Sequence, residues 1–242
     1  MSAGKGTRHR DEDAEPVHDG NGGRPAFLHR LDAAARTRLR TLGTPQTFGK
    51  GNPLMRAGEP GDYVMLLESG FVKVSNLDSQ GNTIILDIGV PGDLHGEIAV
   101  VAGQPRMATV VALEPVRARR IAATEFRRFL RGHVSAMEQV LVTVCGRFAV
   151  AQEQRTHIRG AQAMAKVARR LDHLLDICGV PGDGAWRVGV SLSQEELAQF
   201  VPLSRSNVAE ALKSLERDGV IAKSRKALTV LDRPRLVALR QD

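Results

Sequence analysis

The sequence predicts an α+β chain: an N-terminal β-roll, one long helix, and a C-terminal winged helix-turn-helix. Three observations carry that expectation. Short apolar runs punctuated by glycine fill the stretch from Thr47 to about Ala122. An apolar seam at alternating steps of four and three runs from about Val134 to Ile158. Two well-capped helices and a basic hairpin follow between Ser193 and Leu231.

The 242 residues suit two modest folding units rather than one small module. Hydrophobic residues at 42% and charged residues at 25% are an ordinary globular composition, and aromatics at 4% leave the core to Val, Leu, Ile and Ala. Lys and Arg number 34 against 27 Asp and Glu, a formal charge of +7 that weakly favours an anionic partner. Residues 27–150 and 151–242 each hold 15 basic and 11 acidic side chains, so overall charge does not say which half meets a polyanion. Two cysteines, Cys145 and Cys178, are too few for a disulfide scaffold or an iron–sulfur site, and both read as core thiols. No apolar run approaches the ~20 residues of a membrane span, and Met1–Arg24 lacks an apolar signal core, so no membrane partner and a cytoplasmic location are expected.

Residues 1–25 are polar and glycine-rich, as a disordered tail would be. Leu28, Leu31, Ala35, Leu39 and Leu42 follow helical spacing. Tyr63–Leu67, Phe71–Ser75, Thr83–Ile88 and Thr109–Leu113 read as strands, with turns at Glu68-Ser69-Gly70 and Ser79-Gln80-Gly81-Asn82. Strands so short and closely spaced close into a barrel or roll. Thr124–Arg131 reads as a short helix that breaks near Gly132. In the long helix that follows, Met137, Leu141, Val144, Phe148, Ala151, Arg155 and Ile158 form a coiled-coil seam suited to a second copy of the chain. A further helix spans about Ala161 to Cys178, Gly179–Gly184 is a loop, and Trp186, Val188 and Val190 alternate as a strand does.

Ser193-Gln194-Glu195-Glu196 is a capping box. Leu197, Phe200 and Val201 line the inner face of its helix, and Pro202-Leu203 makes the turn. Ser204 caps a second helix, Arg205–Asp218, whose buried stripe is Val208, Ala211, Leu212 and Leu215 and whose end is marked by Gly219. Val220-Ile221 and Leu228–Leu231 flank the basic turn Lys223-Ser224-Arg225-Lys226. Helix, tight turn, helix and hairpin make a winged helix-turn-helix, whose second helix enters the major groove of double-stranded DNA. Ser206 lies on its outer face. Arg205 offers a fork to guanine, Asn207 pairs with adenine, and Glu210 accepts from cytosine. Ser193, Gln194, Ser204, Lys213 and the wing residues Lys223, Arg225 and Lys226 suit phosphates. The plain alternative is a helical hairpin with a charged outer face.

In this order of parts, residues 27–232 resemble the CRP/FNR superfamily of bacterial transcription regulators. The specific stretches are Ser193–Ile221 and Gly92-Asp-Leu-His-Gly-Glu-Ile-Ala-Val-Val-Ala-Gly-Gln-Pro-Arg-Met-Ala-Thr-Val110, which is similar to the phosphate-binding cassette of cyclic-nucleotide domains. The resemblance implies a double-stranded β-helix (cupin-like) roll at 26–132, a dimerisation helix at 133–160 and a DNA-binding unit at 161–242. It implies that Glu97 holds a ribose hydroxyl and Arg106 the cyclic phosphate, with backbone donors from the short helix of Gly96, Ile98 and Ala99. Two departures stand out: Met107 replaces a hydroxyl residue, and the base-reading positions fall on Ala151 and Gln152. An internal Glu97–Arg106 ion pair with no ligand is the competing reading of the cassette. In the helix-turn-helix, Pro202 stands where the family often has Gly. Arg205 matches the family's guanine-reading arginine, while Ser206 and Glu210 replace its Glu and Arg, which implies a different half-site.

The resemblance therefore implies a non-enzymatic regulator, homodimeric on a palindromic operator, controlled by a cyclic nucleotide such as cAMP and working with RNA polymerase. Two alternatives stay open: a constitutive DNA binder whose pocket has decayed, and a nucleotide-sensing module that docks a protein. Gly43–Gly51 has the wrong spacing for a phosphate loop and reads as a turn before a strand. No two histidines stand at metal-ligand spacing, so no metal is expected, and His95 beside the cassette reads as a partly exposed loop residue.

Overall fold

The computed structural model describes residues 25–157, 162–201, 203–224 and 227–240, with backbone alone for 150–157. Of the expected tail at 1–25, residues 1–24 lie outside the described residues, as do Ile158, Pro202, Arg225 and Lys226.

A 3-10 turn, Phe27–Arg30, leads into α1 (Ala33–Thr41), whose Asp32 cap accepts from the Ala35 amide at 2.8 Å. The roll comprises β1 (Thr44–Phe48), β2 (Pro53–Met55), β3 (Tyr63–Ser69), β4 (Val72–Leu77), β5 (Thr83–Gly89), β6 (Leu94–His95), β7 (Thr109–Ala112) and β8 (Val116–Ala122), with α2 (Glu97–Ala102) between β6 and β7. Two antiparallel sheets, ordered β1-β8-β3-β6 and β2-β7-β4-β5, face each other. Strand β3 shows why the fold closes. Its side chains alternate between two apolar surroundings, so four consecutive residues are buried. Met65 and Leu67 point into the roll with Leu54, Val72, Val110 and Ala118, whereas Val64 and Leu66 point outward against helices.

Those helices are α1, α3 (Ala123–Gly132) and α4 (Val134–His157). Phe126, Leu130, Ala136 and Val140 complete the outer layer with Leu39 and Ile121. Each fully buried Leu or Phe removes enough apolar surface from water to contribute roughly 2–3 kcal/mol.

The C-terminal part holds α5 (Ala163–Cys178), β9 (Gly179–Gly182), β10 (Ala185–Val188), α6 (Gln194–Phe200), α7 (Arg205–Arg217), β11 (Ile221–Lys223), β12 (Leu228–Val230) and α8 (Arg233–Ala238), with a sheet ordered β11-β12-β10-β9. Its apolar cluster reaches into the roll, because Ile85, Ile88, Val90 and Leu113 join Leu171, Leu197, Phe200 and Leu212.

The fold departs from the sequence expectations at several places. Gly179–Gly182 is a strand, not a loop, because its backbone completes the sheet edge beside β10. Thr44–Phe48, read as part of a turn, is a strand paired along β8. Strands β2, β6 and β8 and helix α8 were not anticipated. His95 is 1% exposed within β6, and its ring packs where a side chain on Gly89 would stand. Cys178 is buried, but Cys145 is exposed, because it lies on the outer face of α4.

Candidate effector pocket and nucleic-acid interface

Gly96 caps α2 in the left-handed region, at φ 87°, which a residue with a side chain resists. A Cβ there would also collide with the Arg106 guanidinium. Glycine thus lets the chain turn from β6 into α2 and lets Arg106 approach the backbone.

Glu97 follows and is 1% exposed. Its Oε1 accepts from Arg147 Nη1, and Arg147 also donates to the Leu94 carbonyl at 3.2 Å and lies 4.0 Å from Asp87. Burial pushes the Glu97 carboxyl up from the usual range, and Arg147 opposes that shift. Arg147 was not singled out from the sequence. Its signal was available, since it sits one turn before Ala151 on the seam helix and points to the roll side.

Arg106 is 4% exposed. It donates through Nη1 to the Gly96 carbonyl at 3.0 Å and through Nη2 to the Tyr63 carbonyl, and it lies 3.9 Å from Asp62. Among the described residues no ion pair joins Glu97 to Arg106, so the reading of an internal pair between them is corrected: each charge has a different partner. Glu97 Oε2 and Arg106 Nε are buried with no hydrogen-bond partner. Ile98 is half-buried and Ala99 buried on α2. Met107 is 66% exposed, and its carbonyl accepts from Asn76 at 3.0 Å. Ala151, Gln152 and Arg155 fall on α4, where the described residues include no side chains.

On α4, Ala136, Val140 and Thr143 are buried against the roll, and Val144 packs half-buried against the same cluster. Met137, Leu141 and Phe148 face outward, Leu141 and Phe148 being more than 60% exposed. Val144 therefore sits at the edge of the outward stripe rather than on it.

In the C-terminal part both halves of the capping box form: the Glu196 amide donates to Ser193 Oγ at 3.1 Å, and the Ser193 amide donates to Glu196 at 3.0 Å. Ser204 accepts from the Asn207 amide at 3.2 Å. Val208, Ala211, Leu212 and Leu215 are buried, which turns the opposite face of α7 outward. Ser193, Gln194, Ser204, Arg205, Ser206, Asn207, Glu210 and Lys213 are all exposed. The Arg205 guanidinium, 68% exposed, lies 3.9 Å from Glu195, a contact that solvent screens. The Lys223 ammonium of the wing pairs with Glu216 at 3.1 Å, and the Lys223 amide donates to the same carboxylate at 3.3 Å, which ties hairpin to helix. Among the described residues no group of three His, Cys, Asp or Glu could hold a metal ion, and no helix is long and apolar enough to cross a membrane.

Comparison with known proteins agrees with this architecture. Residues 45–133 match the cyclic nucleotide-binding domain family, and residues 165–239 match the Crp-like helix-turn-helix domain family. The chain is 29% identical over 192 residues to the CRP-like cAMP-activated global transcriptional regulator of Mycobacterium tuberculosis, covering 79% of this chain and 86% of that protein. It is 26% identical over 223 residues to the HTH-type transcriptional regulator Cmr of the same species, covering 92% and 85%. Among solved structures, FixK2 from Bradyrhizobium japonicum superimposes with a TM-score of 0.70 at 20% identity, covering 82% of this chain and 97% of that one, a likeness of fold. A cyclic-nucleotide-type roll joined to a Crp-like helix-turn-helix places the chain in the CRP/FNR superfamily of transcription regulators.

Proposed function

We propose that the chain is a homodimeric regulator that binds a palindromic operator under the control of a small anionic effector, a cyclic nucleotide such as cAMP. The observation that carries the effector reading is the pair of orphaned buried atoms, Glu97 Oε2 and Arg106 Nε. One accepts and the other donates, as a sugar hydroxyl and a phosphate oxygen require. Buried polar atoms are rarely left unpaired, so such a pair favours a ligand. The cAMP-activated regulator of M. tuberculosis supports the same class of effector.

The outward stripe of Met137, Leu141 and Phe148 supports self-association through α4, with the division at 26–132, 133–160 and 161–242 as its functional plan. A twofold axis there sets two α7 helices about 34 Å apart, one duplex turn. Arg205, Ser206, Asn207 and Glu210 then face bases, and Ser193, Gln194, Ser204, Lys213 and the wing face phosphates. The effector biases the arrangement of the two heads as a population shift. The proposed setting is the cytoplasm, with RNA polymerase as the further partner.

A second reading, a constitutive DNA binder, is favoured by one observation: Arg147 already neutralises Glu97. Selecting fragments from a random DNA pool with and without cAMP separates the two. Under the first reading cAMP sharpens the selection, Arg205→Ala costs roughly 1–3 kcal/mol at the selected site, and affinity falls steeply with salt. Selection unaltered by cAMP supports the second.

A further inference from the structure

Arg106 is held by more than its cassette. Its guanidinium carbon stands 4.4 Å from the centroid of the Tyr63 ring, and that of Arg120 on β8 stands 4.0 Å from the same ring. Asp62 reaches both cations, at 3.9 Å from Arg106 and 3.4 Å from Arg120. The Tyr63 hydroxyl donates to the Leu54 carbonyl at 2.8 Å, which fixes the ring across to β2. An arginine has five N–H donors in one plane. Here the two terminal nitrogens are turned onto the Gly96 and Tyr63 carbonyls, and the aromatic face limits rotation of the plane. Nε is the nitrogen left over.

We propose that Tyr63, braced by Arg120 and Asp62, is the positioning residue of the anion site: its ring sets the plane of Arg106 so that the Nε edge meets an incoming phosphate. This rests on the reading of Arg106 as the anion-binding cation. The attraction of a guanidinium for an aromatic face supplies the hold, and burial keeps it from being screened. The hydroxyl is secondary, because it touches neither arginine. The ring carries the role, and an aliphatic side chain of similar bulk does not replace it.

The test compares Tyr63→Phe, Tyr63→Leu and Tyr63→Met in the full chain, by titration calorimetry with cAMP and by the Arg106 Nε–H resonance of 15N-arginine-labelled protein without ligand. The resonance is assigned by its loss in Arg106→Lys. With Tyr63→Phe the Nε–H signal persists and the cAMP dissociation constant stays within about twofold of the parent. With Tyr63→Leu the signal exchanges away and the dissociation constant rises about five- to twentyfold. Tyr63→Met, whose unbranched flexible chain reaches along the same space without a π face, behaves as Tyr63→Leu and carries the comparison if that variant fails to fold. Retention of the Nε–H signal in both aliphatic variants overturns the proposal. If the parent gives no heat with cAMP while the resonance follows the ring as described, the effector reading fails and the positioning role stands.

Discussion

Lys73 on β4 of the roll donates to Glu196 of α6, in the helix-turn-helix, at 3.1 Å, with both side chains more than four-fifths buried. Glu196 serves two units at once. One oxygen closes the capping box of its own helix while the other receives the lysine. Around this pair Ile85 and Ile88 pack with Leu197 and Phe200, so the junction between the roll and the helix-turn-helix unit has an apolar bed and a polar clasp.

Burial alone would raise the Glu196 carboxyl, but the Ser193 amide and Lys73 outweigh it and hold it below the usual glutamate range. A carboxyl depressed in the folded state contributes stability above its unfolded pKa and loses it as pH falls through the folded value. Lys73→Met should therefore cost about 1 kcal/mol near neutral pH, with the gap to the parent closing as glutamate protonates. Urea unfolding from pH 7 to pH 3 measures this. A pH-independent gap would place the cost in packing instead.

Arg147 joins α4 to Glu97. Removing it leaves a buried carboxylate without its cation, so Arg147→Gln should destabilise by about 3 kcal/mol at neutral pH, and adding Glu97→Gln should recover most of that loss. Without the arginine, burial raises the Glu97 carboxyl further. The folded chain then holds a proton that the unfolded chain releases, so stability falls as pH rises above the usual glutamate range. Denaturant midpoints of the two variants across pH 4–8 check both statements.

Burial raises the Cys178 thiol to about 11, whereas Cys145 is exposed. Ellman's reagent at pH 8 should titrate Cys145 in the native chain, with Cys178 reacting only after unfolding. A thiol raised in the folded state leaves stability intact below about pH 9 and erodes it as pH climbs towards 11. Cys178→Val should flatten that part of the parent's decline, read from melts at pH 8 to 11.

Leu141 and Phe148 are exposed in the single chain, so a charge at either position buries nothing within it. In a seam between two copies the same charge would be desolvated without a partner. Leu141→Glu should leave the thermal midpoint of the protomer nearly unchanged while light scattering shows half the mass. An unchanged mass would move the interface elsewhere.

The elements legible in the sequence are those whose signal is local. Ser193, Glu196 and Ser204 fix helix starts through contacts three residues away, and the α7 stripe is visible as periodicity. Strand β8 was missed because its run carries Arg117, Arg119 and Arg120, whose charges are met by Glu68 and Asp62 from distant segments. Helix α8 did carry a local signal, Asp232 capping with Pro234 behind it. The cassette motif located Glu97 and Arg106, but their partners come from afar: Arg147 from fifty residues downstream and Tyr63 from forty-three upstream. Val144 was placed in the seam by spacing alone, and only the roll beneath α4 turns it half inward.

The most direct measurement is operator affinity with and without cAMP, for the parent and for Arg106→Ala, on a DNA fragment selected by the parent. On that fragment cAMP should tighten the parent at least tenfold, Arg106→Ala should abolish the response, and the variant's ligand-free affinity should match the parent's. A parent that binds equally well in both conditions, with an Arg106 variant indistinguishable from it, would contradict control through Glu97 and Arg106.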